Sequence, residues 1–510
     1  MKIAAPVEID GTNLTLPAVT AVACDGVSVA LSPTVLPKVR AARELVEQTV
    51  SRAEPVYGVT TGFGKLKNVR IPPEDAVALQ RNLVRSHATG VGAPLPEDAA
   101  RASVLLRANS LATGNSGVRL DVIELLLELL NRGVTPMIPC QGSVGASGDL
   151  APLAHMALVL IGEGEAFYRG DRCSGADALS RAGLRPLTLS FKEGLSLING
   201  TQVMTGIGAL TLVRAANVCK AADIAAAMSL EAFMGTDAAF DERLSALRRH
   251  PGHALVAANM RRLLRDSAVM ASHQGCDRVQ DPYSFRCIAV VHGSVRDTMR
   301  FVENTVEIEM NSVTDNPIVF PEDGEFISGG NFHGEPVALA MDYLGIALAE
   351  LGSISERRTY KLLEGLEGLP PFLTEHHGLC SGFMLAQYTA AALVSENKTL
   401  AFPASVDSIP TSAGQEDHVS MGTISARQCA QILVNLENVI AIELLEAAQA
   451  LDFRKPMGFG RGTSIAHRVI RDRITHLDAD RNLSVDIGAA RELVSSGAIV
   501  SAVEAELGTL

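Results

Sequence analysis

The sequence predicts a mainly α fold: a long-helix bundle with a loop-rich N-terminal domain. Two observations carry this. Residues 335–362, 381–401 and 423–451 are long and Ala/Leu-rich. A 29-residue helix spans about 43 Å at 1.5 Å per residue, and helices of that length pack against each other as a bundle. The Gly, Pro and polar clusters fall at the ends of those stretches, in 57–70, 134–152, 275–287, 311–336, 364–382 and 402–422. A rigid helical scaffold carries function on such loops.

Taken in order, residues 1 to about 35 alternate short apolar runs with Gly, Asp and Pro, which predicts small strands or turns. Residues 119–132, RLDVIELLLELLNR, read as an apolar-rich helix. Gly133 follows, where the chain needs a residue that accepts positive φ. From Ser294 to Met310, residues Met299, Val302, Val306 and Met310 recur near one helical stripe. A boundary near residue 205 divides the chain into an N-terminal domain, 1–205, and a bundle domain, 206–510.

Composition excludes several functions. The chain has 510 residues, is 47% hydrophobic and carries a net charge of −13. Acidic and basic residues are interspersed, which argues against nucleic acid or an anionic membrane as partner. Aromatics are 4% and Trp is absent, so stacking on bases is not expected. Eight cysteines lie at long, irregular spacings with no C-x-x-C pair, as in a cytoplasmic protein with reduced thiols. The start, MKIAAPVEIDG, meets Glu, Asp and Gly before any long apolar run, so no signal peptide is predicted. No stretch approaches 18 uncharged apolar residues, so no membrane span is predicted. No metal is expected: His376-His377 and His418 sit in no metal-binding spacing. Gly458–Gly462 lacks the ending of a phosphate loop, and there is no G-x-S-x-G.

The unusual chemistry is in residues 142–153, GSVGASGDLAPL. Ala146 has little bulk beside its carbonyl, and Gly148 has no Cβ to hinder approach of its nitrogen. Attack of that nitrogen on the Ala146 carbonyl would close a five-membered ring. Loss of the Ser147 hydroxyl as water would leave a methylidene electrophile, a group ordinary side chains lack. The same tripeptide also reads as a Gly/Ser turn before a helix capped by Asp149.

The longer string GSVGASGDLAPLAH, with Tyr57 in VYGVTTGFG and Asn199 in LINGTQ, resembles the aromatic amino acid ammonia-lyase and aminomutase family from about Val56 to about Phe453. The resemblance implies a methylidene-imidazolone formed autocatalytically from Ala146-Ser147-Gly148, with no external cofactor. It also implies a long-helix bundle beside an N-terminal domain that carries this group. It implies a homotetramer whose active sites are each built from several subunits. Tyr57, in a Gly-rich loop, matches the family's base for the unactivated β-proton. A free Tyr has a pKa near 10, so its phenolate needs stabilising neighbours. Arg286, with Tyr283 and Gln280, matches the positions that bind the substrate carboxylate, for which a bidentate cation is best. Asn199, Asn316 and Phe332 match positions lining the pocket.

Two positions bear on the substrate. Ser86-His87 stands where phenylalanine-specific members tend to carry Phe-Leu and tyrosine-specific ones His-Leu. Glu416 stands where phenylalanine members commonly have Gln. An imidazole offers an N–H donor that a carboxylate accepts, whereas a phenyl ring would leave it unsatisfied. His87 and Glu416 therefore point to an amino acid substrate with an imidazole ring, and to elimination of ammonia from L-histidine to give urocanate. The alternatives are a phenylalanine or tyrosine lyase or aminomutase on the same scaffold, and a catalytically silent scaffold protein. Cys380, where Asn is expected, and 361–369, KLLEGLEGL, depart from the family pattern.

Overall fold

The computed structural model describes residues 5–275 and 278–510. Cys276 and the first four residues of the N-terminal stretch lie outside the described residues. Twenty α-helices account for most of the fold among the described residues. The three long Ala/Leu-rich stretches form helices Glu335–Leu363, Met384–Leu400 and Gly422–Asp452. The 119–132 pattern forms Leu120–Arg132, ended by Gly133 at φ 71°. The Ser294–Met310 stripe lies on helix Ile288–Met310.

The chain forms two compact units, each assembled from three stretches. The first is Met1–Val213, Glu303–Asp342 and Pro403–Arg427; the second is Arg214–Val302, Tyr343–Phe402 and Gln428–Leu510. This differs from a division into 1–205 and 206–510. Residue 205 falls inside the 31-residue helix Gln202–Ala232, which contributes residues to both units. That helix is Ala-rich and almost wholly buried. It therefore has no polar face whose periodicity would reveal it in the sequence.

Within the first unit, small sheets tie down the loops. Val7–Ile9 pairs in parallel with Val29–Leu31, within the stretch expected to hold small strands. Val91–Pro94 pairs antiparallel with Pro139–Gln141, and Ile318–Phe320 with Glu325–Ile327. Val134–Pro136, Glu165–Tyr168 and Asp171–Ser174 form an antiparallel three-stranded sheet.

The second unit buries charge among its helices. The Arg358 guanidinium donates to both oxygens of Glu443, at 2.5 and 2.8 Å, and both side chains are fully buried. Such a bidentate pair sets two N–H donors of the planar guanidinium against the two carboxylate oxygens. Two helices, Glu335–Leu363 and Gly422–Asp452, are long and apolar enough to cross a membrane by length and composition alone. Their apolar windows are 61% and 72% buried within the protein, as in core helices.

Candidate active site

A cavity of about 880 Å³ lies in the first unit. Four of the six polar loops line it: 57–70, 134–152, 311–336 and 402–422. Tyr57, His87, Ala146, Ser147, Asn199, Asn316, Phe332 and Glu416 all contribute to its walls.

The floor is the Ala146-Ser147-Gly148 turn. Gly145 and Gly148 pair across it, and Gly148 pairs again with Gly200. Gly148 has φ 71°, and a Cβ there would sit 2.0 Å from the Gly200 carbonyl oxygen, so only glycine fits. The Gly200 N–H donates to the Ser147 carbonyl at 3.2 Å, and the Asp149 N–H to the Gly200 carbonyl at 2.7 Å. With its amide oriented to satisfy both ends, Asn199 donates to the Ser147 carbonyl at 3.2 Å and accepts from the Asn316 N–H at 2.8 Å. Behind Asn199, the Arg107 guanidinium donates to its backbone carbonyl at 2.5 Å.

Asp149 precedes helix Leu150–Leu160, yet its side chain makes no cap bond to it. Its carboxylate instead accepts the N–H groups of Val203 and Met204, both at 2.9 Å, at the start of helix Gln202–Ala232. Thr423 and Ser143 donate to its other oxygen. Burial pushes this carboxyl up to about 6, against the lowering effect of those four hydrogen bonds. Asp149 thus clamps the loop that carries Ser147.

Opposite the turn stands Glu416. It accepts the Ser147 hydroxyl at 3.4 Å and the Thr411 hydroxyl at 2.8 Å. His87 ends helix Ala76–His87, and its Nδ1 lies 2.8 Å from the Leu83 carbonyl. A carbonyl only accepts, so Nδ1 carries the proton and Nε2 keeps its lone pair. Burial holds the His87 pKa down, which favours the neutral ring.

A scan of family models matches residues 14–472 to aromatic amino acid lyase. The chain belongs to the aromatic amino acid lyase family. It is 54% identical over 501 residues to a histidine ammonia-lyase of Caldanaerobacter subterraneus subsp. tengcongensis, covering 98% of each chain. It is 56% identical over 501 residues to that of Symbiobacterium thermophilum, covering 98% of this chain and 99% of the relative. Among solved structures, histidine ammonia-lyase from Trypanosoma cruzi aligns with a TM-score of 0.91 at 40% identity, over 98% of this chain and 95% of that one. Tyrosine aminomutase from Streptomyces globisporus aligns with a TM-score of 0.93 at 40% identity, over 98% and 99%. The helical fold is that of this family.

The prosthetic group of aromatic amino acid lyases fits the residues present. The turn bends the backbone over Ala146 and Ser147, Gly148 is required sterically, and Ser147 opens onto the cavity.

Tyr57 departs from expectation. Its hydroxyl accepts the Gly64 N–H at 3.3 Å, which lowers its pKa. Burial outweighs that bond, and the nearby Glu416 charge adds to the rise, so the phenol is held above 10 rather than stabilised as phenolate. Gln280, Tyr283 and Arg286 belong to the second unit and do not line the cavity. Tyr283 is exposed, and the Arg286 guanidinium lies 4.7 Å from its ring centroid, a cation–π stack. Cys380 also lies in the second unit, outside the cavity lining. Four further charged or imidazole groups line the walls that the sequence did not mark as site residues: Lys67, Arg70, His333 and Asp417; His418, expected to be a loop or pocket polar residue, also lines them. Lys67 and Arg70 were visible as the basic end of the Tyr57 loop.

Proposed function

We propose that this chain eliminates ammonia from L-histidine to give urocanate, as a carbon–nitrogen lyase of the cytoplasm. The observation that carries this reading is the Glu416 carboxylate in the cavity wall, 3.4 Å from the Ser147 hydroxyl and close enough to His87 to act on its charge. A phenyl ring offers such a carboxylate no donor, whereas an imidazole N–H donates to it. The 51–56% identity to proteins named histidine ammonia-lyase supports the same reading.

The prosthetic group would be held by Ala146, Ser147 and Gly148, with Asn199 and Gly200 on the Ser147 carbonyl. When formed, it would supply an electrophilic carbon, the chemistry needed to turn the substrate amine into a better leaving group. The rest falls to side chains. Glu416 and His87 seat the imidazole. Tyr57 takes the β-proton at its hydroxyl oxygen, which requires the phenolate form. Asn316 and Phe332 confine the substrate chain. The carboxylate needs a cation; Lys67 and Arg70 line this cavity, but Arg286, which matches the family's carboxylate-binding position, lies outside it. We therefore assign Gln280, Tyr283 and Arg286 of a second copy to each site, in a homotetramer. A cation brought in this way would also counter the rise that burial and Glu416 impose on Tyr57.

A tyrosine reading keeps the scaffold, and the tyrosine aminomutase fit favours it on fold alone. Glu416→Gln separates the two. Turnover of L-histidine should fall while weak turnover of L-phenylalanine or L-tyrosine holds or rises. Equal histidine turnover in the variant would overturn the imidazole assignment.

A further inference from the structure

His333, Glu335 and His418 each place a ligand atom within 4.8 Å of the others. In the sequence His418 sits in no metal-binding spacing. The fold brings it to residues more than eighty positions earlier. We propose that these three side chains form a binding site for a divalent transition-metal cation, with Zn²⁺ the best-suited member.

The donor chemistry selects the class. Two imidazoles and one carboxylate suit Zn²⁺ and its neighbours, whereas Mg²⁺ and Ca²⁺ favour all-oxygen sites. In a tetrahedral Zn²⁺ site with bonds near 2.0–2.2 Å, ligand atoms sit roughly 3.4 Å apart. The three donors must close from within 4.8 Å to that spacing when the ion binds.

The two rings stack nearly parallel, 6° apart with centroids separated by 5.7 Å, so one ring turns for both in-plane lone pairs to meet a single ion. His333 Nε2 faces the His418 carbonyl at 3.3 Å. A carbonyl only accepts, so Nε2 carries the proton and Nδ1 holds the lone pair a metal takes. The Glu335 N–H reaches Nδ1 at 3.3 Å, a long bond that a cation displaces at little cost. Glu335 Oε2 is buried and has no hydrogen-bond partner among the described residues. A carboxylate oxygen left that way is costly unless a cation or donor meets it.

The location gives the site a role. His418 follows Glu416 by two residues, and both histidines line the cavity. A bound cation would pin the segment carrying Glu416 to the start of helix Glu335–Leu363. Three protein donors leave a fourth tetrahedral position for water. None of this depends on which amino acid the cavity takes.

The test uses the full-length protein, stripped with chelator, in its assembled form. Co²⁺ is titrated with visible absorption as readout, and Zn²⁺ by calorimetry. One saturable equivalent per chain is expected, with ligand-field bands and no thiolate charge-transfer band. His418→Ala and Glu335→Gln should each weaken binding by more than about tenfold. His418 is exposed, so its variant should fold even if Glu335→Gln does not. Absent saturable binding, unchanged affinity in His418→Ala, or a thiolate band assigning the ion to cysteine would each overturn the proposal.

Discussion

The Ser147 hydroxyl lies 3.4 Å from the Glu416 carboxylate, across 269 positions of sequence. This places the residue that implies the reaction against the residue that implies the substrate. The same carboxylate also faces Tyr57 electrostatically, and its charge raises the phenol's pKa.

A pH prediction follows from that sign. A tyrosine base works as phenolate, so kcat/KM rises with pH along the Tyr57 titration. Burial and Glu416 move this limb up. Neutralising Glu416 removes one of the raising charges. In Glu416→Gln the rising limb of log kcat/KM should shift to lower pH, even as the loss of a charged hydrogen bond lowers histidine turnover about ten- to a hundredfold. A limb that stays put or moves up contradicts the placement of these two residues.

Position 148 admits no side chain. Gly148→Ala drives a methyl into the Gly200 carbonyl and strains a positive φ. Ser147→Ala leaves the backbone alone and removes only the leaving hydroxyl. Both should abolish the near-ultraviolet absorbance of the prosthetic group, against a low background because Trp is absent. Only Gly148→Ala should lower Tm. Absorbance that survives Ser147→Ala would rule out a group made from this tripeptide.

Below the floor, Lys192 Nζ donates to Asp315 at 2.6 Å, with both side chains fully buried. The neighbouring Asn316 N–H also donates to this carboxylate, at 2.7 Å. Lys192→Met removes the cation bonded to Asp315 and leaves its charge to the nearby Arg107 alone. Breaking a buried pair from one side costs about 3–5 kcal/mol. Urea unfolding should report a loss of that size. A change below 1 kcal/mol would mean the pair is dispensable.

Much of this was legible in the sequence because the cavity residues sit in compact motifs. The long helices were legible from Ala/Leu-rich length. Helix Gln202–Ala232 was not, because a helix buried on every side shows no stripe. Asp149 read as a helix cap, whereas its carboxylate serves a different helix. The His333–Glu335–His418 cluster was invisible, since its members meet only through the fold. Tyr57 showed its place in a loop but not the burial that keeps it protonated.

Arg286 supplies a test of shared sites. If Tyr57 and Arg286 serve one site from different copies, Tyr57→Phe and Arg286→Ala chains are each nearly inactive. Mixed and reassembled, they should recover activity at roughly a quarter of the sites, those built from two unmutated contributions. No recovery after verified subunit exchange would place both residues in one copy's site.

The most direct test of the account is identification of the product after separate incubation of the purified protein with L-histidine, L-tyrosine and L-phenylalanine. Urocanate and equimolar ammonia from L-histidine, with far slower reaction of the other two, is the predicted result. A β-amino acid, or an aryl acrylate formed fastest from tyrosine or phenylalanine, would contradict it.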